Sequence, residues 1–571
     1  MTRIGGRWVL RIGALVAIMA FGHARLYAAT RKSPAAPTNS QDSGAASQKK
    51  TAYDQVIDRI VQREQQEMKA FARYRPVVET YIQQLAPDKV MGEVPVHDAY
   101  FLGQADLSQG ISVRSMLPKT SGRFNLLGFA GGGTDWQPDG FVQMIYLDRN
   151  GFDRQHYDFR YRGRDFLGEI RCYVFDVIPT KDAGKGRFEG RIWVEDRDFT
   201  IVRFNGTYVP VRKLPFLNFA AHFDSWRVNV QAGLWLPAYV FVEGLSDKPG
   251  EMPRFKAQTR LWAYNPEAAD QETDFSKLSI ESTAPVQDDS AQENDSAPVA
   301  AERGFDREAE DNAIDTLVRA GIIAPSGPVD KVLDTVLNNL EVTNNLNITP
   351  EPRCRVMLTS NIELFSIGHT IVLSRGLIDV IPDEPTLAVM LAQELSDAMI
   401  LKPQTSEYGF SDILETPTTQ ALTAFSFKDE QGDWQAIGAK TMEILKNSPY
   451  KGKLASAGLF LKQLSLEYKT VPHLVGAHLG NRVYPIEALI SSSPQLQPDK
   501  LDQIAALPMG SRVKVNPWND QTEMLKTAPV ALVSVREKMP FEITPFMPYL
   551  QRYQEIHAAE LARQKRQVTA Q

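Results

Sequence analysis

Cysteine is scarce in this chain: two in 571 residues. That excludes a disulfide framework and a cysteine-based metal centre. Cys172 and Cys354 fall in different expected domains and read as isolated buried thiols, with a disulfide between them as the alternative. Histidine is also sparse. None of the eight is followed by Glu, so the His-Glu-x-x-His helix of zinc proteases is missing. His369, and the pair His473 and His478, read as structural rather than ligating. There is no Gly-x-Ser-x-Gly elbow of a serine hydrolase. Gly131-Gly132-Gly133 and Gly184-Lys185-Gly186 lack the spacing of a phosphate loop and read as turns. Charge of one sign does not dominate; a net −6 gives no clustered basic surface, which argues against a nucleic-acid partner. Long hydrophobic runs are lacking too, and the apolar run Ile12 to Phe21 is too short to cross a bilayer comfortably.

What is present falls into blocks. Arg3, Arg7 and Arg11 precede that short apolar run, and Ala28 offers a small residue for cleavage. Residues 1–28 therefore read as a signal peptide and the protein as secreted, in the periplasm. Residues 29–50 are a disordered lead poor in large apolar side chains. Residues 51–95 show helix-like recurrence at Val56, Ile60, Met68, Phe71, Val77, Tyr81 and Ile82.

Over 96–265 the period changes to two. Phe188 to Val194 and Phe199 to Phe204 flank the acidic turn Glu195 to Asp198 as a hairpin. Further strands are expected at Asp158–Tyr161, Gly168–Val177, Trp226–Val230, Leu234–Val242 and Thr259–Tyr264. Many short antiparallel strands predict a curved sheet or partial barrel. Residues 266–304, acidic and rich in Ser, Ala and Pro, read as a disordered linker. Residues 305–571 are mainly helical with a small sheet. The expected fold class is thus α+β and multidomain.

The most chemically suggestive segment is Leu387 to Ile400. Glu394 stands where a zinc-protease helix carries its general base, but Gln393 and Asp397 occupy the positions of the two histidines. Upstream lie the short strand Arg353–Leu358, the turn Ser360-Asn361-Ile362-Glu363-Leu364-Phe365, and Thr370-Ile371-Val372-Leu373-Ser374 running into Arg375-Gly376-Leu377. Asp383 is the expected N-cap of the Glu394 helix. In this order of elements, residues 329–450 resemble the M48 family of zinc metallopeptidases. The resemblance implies a zincin-like helical domain. It implies a third ligand position at Trp434, with Asp433 as the neighbouring register, and a segment near His478 and Arg482. It also implies a peptide-binding edge strand at Thr370, Ile371, Val372, Leu373 and Ser374. The strands around Cys172 to Tyr208 resemble the open barrels of lipoprotein-sorting carriers, which hold acyl chains in a concave sheet.

A neutral amide and one carboxylate are poor replacements for two imidazoles on zinc. Glu394 without a metal has no activated water, because it is the metal that lowers the pKa of bound water from about 16 to about 7. The expectation is a degenerate site (Gln393, Asp397, Trp434) with Glu394 vestigial, no metal and no cofactor. It leads to a catalytically inactive peptidase-like protein binding a peptide or protein client at the envelope. The alternatives are an active metalloendopeptidase with an unusual ligand set and a lipid or lipoprotein carrier working through the β-rich domain.

Overall fold

A computed structural model describes residues 51–89, 92–108, 110–117, 136–149, 151–184, 186–209, 221–244, 254–264, 298–400, 434–476, 478, 486–493, 512–525 and 541–553. The expected signal, the lead, most of the linker, Gly131 to Gly133, Asp433 and Arg482 lie outside them.

The first element is α1, Ala52–Phe71. Thr51 opens it with a capping box: its hydroxyl accepts from the Asp54 amide, and the Asp54 carboxylate accepts from the Thr51 amide. The buried stripe of α1 is Ile57, Ile60, Glu64, Glu67 and Phe71, alternating steps of three and four that keep one helical face inward. Two of those five positions are acidic. Arg227, itself fully buried, meets one of them, with Nη1 and Nη2 donating to Glu64 at 2.6 and 2.7 Å.

The helix-like reading of 51–95 fails after α1. Val77–Asp88 is strand β1, and Gly92–Asp106 is β2, paired antiparallel to it. The reason is visible in the burial. From Val77 to Leu85 both faces of the strand are covered, so Glu79, Thr80 and Gln83 are buried with the apolar residues. A strand covered on both faces shows no clean alternation.

Eight more strands complete the sheet: β3 Ser112–Ser115, β4 Tyr157–Leu167, β5 Ile170–Pro179, β6 Phe188–Glu195, β7 Ile201–Tyr208, β8 Ala221–Gln231, β9 Leu234–Gly244 and β10 Phe255–Trp262. The order is β3-β2-β1-β10-β9-β8-β7-β6-β5-β4, antiparallel throughout. The sheet is open, with β3 and β4 at its edges. The expected β6–β7 hairpin forms around the acidic turn; Glu195 holds it by accepting from the Arg197 and Asp198 amides.

One face of the sheet carries α1 and a dense aromatic cluster that includes Phe71, Phe188, Phe204 and Phe223. The other face carries Tyr81, Trp226, Tyr239 and Trp262 and packs against the second half of the chain. That half, which follows the short helix α2 (Pro138–Val142), contains α3 (Pro298–Arg319), α4 (Pro328–Asn344), strands β11 (Arg353–Met357), β12 (Leu364–Ile367) and β13 (Thr370–Ser374), α5 (Arg375–Val380), α6 (Glu384–Ile400) and α7 (Trp434–Asn447). Helix α3 starts inside the stretch read as linker, because Ala309, Ala313, Ile314 and Leu317 bury one side of a helix that extends back to Pro298. The two halves share one core and a polar seam. Glu79 of β1 accepts from the Ser360 amide at 2.6 Å and from its hydroxyl at 2.7 Å, and Trp262 Nε1 donates to the Gly321 carbonyl at 2.6 Å.

The last described segment, Phe541–Tyr553, is extended and lies across the sheet. Ile543 N donates to Gln83 Oε1 at 2.8 Å, Glu169 N to Leu550 O at 2.9 Å, and Tyr553 N to Asn229 Oδ1 at 2.8 Å. Gly168, with φ +65°, permits this approach, since a Cβ there would sit 2.6 Å from the Leu550 backbone. Both cysteines are free and buried. Among the described residues no helix is long and apolar enough to cross a membrane.

Candidate functional site

Helix α6 carries the residues singled out above. Asp383 does cap it, its carboxylate accepting from the Thr386 amide at 3.0 Å. Gln393 and Glu394 are buried, Asp397 is half-buried, and Trp434, the first residue of α7, is 37% exposed. Glu394 Oε2 accepts from Ser366 Oγ of β12 at 2.7 Å. Burial, with the charge of Asp397 adding to it, pushes the Glu394 carboxyl up to about 8. At neutral pH it is therefore mostly a neutral acid bonded to a serine, the opposite of a general base poised over water. Among the described residues Gln393 Oε1 is buried with no hydrogen-bond partner. Among the described residues no three His, Cys, Asp or Glu side chains converge to hold a metal.

The strand expected to be an open edge is not one. β13 is the central strand of its sheet, parallel to β11 on one side and antiparallel to β12 on the other. Thr370, Ile371, Val372, Leu373 and Ser374 are all buried. Their backbone groups are already paired, so strand addition by a peptide has no free ladder to join.

A different site stands out. Between β8–β10 and the segments 513–525 and 543–551 lies a cavity of about 410 Å³, within the range of small-molecule sites. Val228, Leu261, Trp262, Val515, Trp518 and Phe546 give it a mainly apolar wall. Trp518 is fixed by donating Nε1–H to the Asn229 carbonyl at 2.6 Å. At the rim Phe546, Met547 and Tyr549 are 42%, 67% and 58% exposed.

The charged side chains of the lining are Arg260, Arg375, Lys514 and Asp520. Burial first, then the neighbouring Arg375 charge, brings Arg260 down to about 10, so it stays cationic at neutral pH. Burial brings Asp520 up to about 6. Arg260 Nη1 donates to Ser360 Oγ at 3.0 Å, to Leu358 O at 3.2 Å and to Glu79 Oε2 at 3.2 Å, with its guanidinium 5.1 Å from the Trp262 ring centroid.

Sequence reading missed this site because its walls come from four separated segments. The one local signal was Phe541 to Leu550 (FEITPFMPYL): apolar and aromatic, broken by prolines, hence extended and in need of a surface to cover.

No protein-family model matches the chain, and no curated protein does. Solved structures that it matches include a DUF1329 family protein from Desulfovibrio piger, 13% identical with a TM-score of 0.21, covering 39% of this chain and 98% of that one. Another is a putative outer membrane lipoprotein-sorting protein domain from Vibrio parahaemolyticus, 8% identical at 0.19, covering 35% and 88%. A third is the MucA/MucB complex of Pseudomonas aeruginosa, 10% identical at 0.13, covering 35% and 93%. With no family model matching, that of the M48 peptidases included, the M48 resemblance is overturned. The placement of Gln393, Asp397 and Trp434, and the central position of β13, accord with that. At such TM-scores the likenesses themselves carry no weight for function.

Proposed function

We propose that this chain is an exported carrier or binding protein of the cell envelope. It would hold an acyl chain or similar apolar group in the cavity beside β8–β10. The observation that carries the reading is that cavity: about 410 Å³ enclosed by apolar side chains from the sheet and from the C-terminal segment. The basic residues and short apolar run at the start of the sequence supply the envelope location. The opposite face of the sheet is filled by α1 and its aromatic cluster.

A protein client is the second reading. It is favoured by the exposed Phe546, Met547 and Tyr549 at the rim, an apolar strip suited to contact with a donor or acceptor of the ligand.

The test is a titration of delipidated protein with N-phenyl-1-naphthylamine, a neutral fluorescent probe, with extraction of co-purified lipid beside it. Saturable binding lost in Ala238→Phe, which fills the cavity, supports the proposal. Equal binding by that variant ends it.

A further inference from the structure

Resting on that reading, we infer that the ligand is a single-chain amphiphile with an anionic head, a carboxylate or phosphate monoester, received by Arg260 and Arg375. Three cationic side chains, Arg260, Arg375 and Lys514, line the cavity against one acid, Asp520. Asp520 follows Trp518 and takes a hydrogen bond from the Ala263 backbone. Ala263 is three residues past Arg260, about 10 Å along an extended chain. The cavity is therefore polar and cationic at one end.

The two guanidiniums are short of acceptors. Arg260 spends Nη1 on Ser360, Leu358 and Glu79, while its Nε and Nη2 have no hydrogen bond among the described residues. Arg375 Nη2 reaches the same Ser360 hydroxyl only at 3.5 Å. Its Nε has no hydrogen bond among the described residues and forms an ion pair at 3.6 Å with Asp379 Oδ2.

The two carboxylates that face the pair, Glu79 at 3.2 Å from Arg260 Nη1 and Asp379 at 3.6 Å from Arg375 Nε, are shared with other donors. Glu79 also accepts from Tyr100 Oη at 2.9 Å and from the Ser360 amide and hydroxyl. Asp379 Oδ1 accepts from the Arg512 and Val513 amides at 2.9 Å each. A buried guanidinium N–H without an acceptor, as at Arg375 Nε, is costly. An anion that offers two oxygens, as a carboxylate or a phosphate monoester does, fits two such forks. The volume, near the low end for ligand sites, suits one acyl chain.

The test uses the delipidated full chain and four probes: palmitate, a lysophosphatidic acid of the same chain length, hexadecanol and inorganic phosphate. Both anionic amphiphiles are expected to bind at least tenfold tighter than hexadecanol, and phosphate alone weakly. Arg375→Gln should reduce that preference several-fold while leaving hexadecanol affinity unchanged. Arg260→Gln should do the same, with a folded circular-dichroism spectrum as its control. Hexadecanol binding as tightly as palmitate overturns the anionic head but leaves the acyl-chain cavity standing. A head preference unaltered in Arg375→Gln overturns the assignment to this pair. If no amphiphile binds, both readings fall. A preference for one anion over the other decides between carboxylate and phosphate.

Discussion

The two faces of the ten-stranded sheet each bury arginine, and they treat it differently. On the α1 face, Arg227 has both terminal nitrogens on the Glu64 carboxylate, a further bond to the Ile201 carbonyl, and the rings of Phe71 and Phe204 beside it. On the other face Arg260 and Arg375 share one serine hydroxyl and front a cavity. That bidentate buried ion pair, with only Arg227 Nε left without a hydrogen bond among the described residues, fixes how the helix sits on the sheet. Arg260 and Arg375 meet their acids through longer contacts, 3.2 Å to Glu79 and 3.6 Å to Asp379, and beside the apolar cavity they keep donors available for something that arrives later. The contrast separates scaffold from site without appeal to catalysis.

The largest break in that contrast should come from Glu64→Ala, which strands Arg227 in the core. A loss of about 3–5 kcal/mol in urea unfolding is expected, and Arg227→Met combined with Glu64→Leu should recover much of it. Next is Gly168→Ala. Its Cβ would collide with the Leu550 backbone at a positive φ. About 1–3 kcal/mol should be lost, along with probe binding, because the cavity wall is displaced.

The third effect is on pH. Glu394 and Glu67 have carboxyls raised by burial, to about 8 and about 7. In each the folded state holds a proton that the unfolded chain releases near the ordinary carboxylate value. Their contribution is whole below about pH 4.5 and declines as pH rises through 7 and 8. Glu394→Gln should flatten that decline, gaining about 1–2 kcal/mol at pH 9 relative to pH 5 in paired denaturation curves. The smallest effect should be Arg375→Gln, about 1 kcal/mol in stability, since its contacts to Asp379 and Ser360 are long, 3.6 and 3.5 Å. A large loss there would erase the distinction between the two faces.

Much of the sheet was legible. The alternation in Phe188 to Phe204 and the acidic turn between its halves specify β6 and β7 locally. Val77 to Leu85 was not, since burial on both faces removes the period-two signature and leaves apolar residues that also fit a helix. Helix α6 and its Asp383 cap could be read from neighbouring residues. The pairing of β13 on both edges could not, because strand order depends on partners distant in sequence. The cavity was hidden for the same reason. Arg260 and Arg375 are each unremarkable in their own segments, and only the fold sets them around Ser360.

The strap Phe541–Tyr553 has a temporal consequence. Synthesis runs from the N-terminus, so the strands bearing Val228, Leu261 and Trp262 exist well before the segment that roofs them. Until that roof is laid, the greasy floor is bare. A folding intermediate of this chain is therefore expected to be stickiest along the wall that Phe541–Tyr553 later covers.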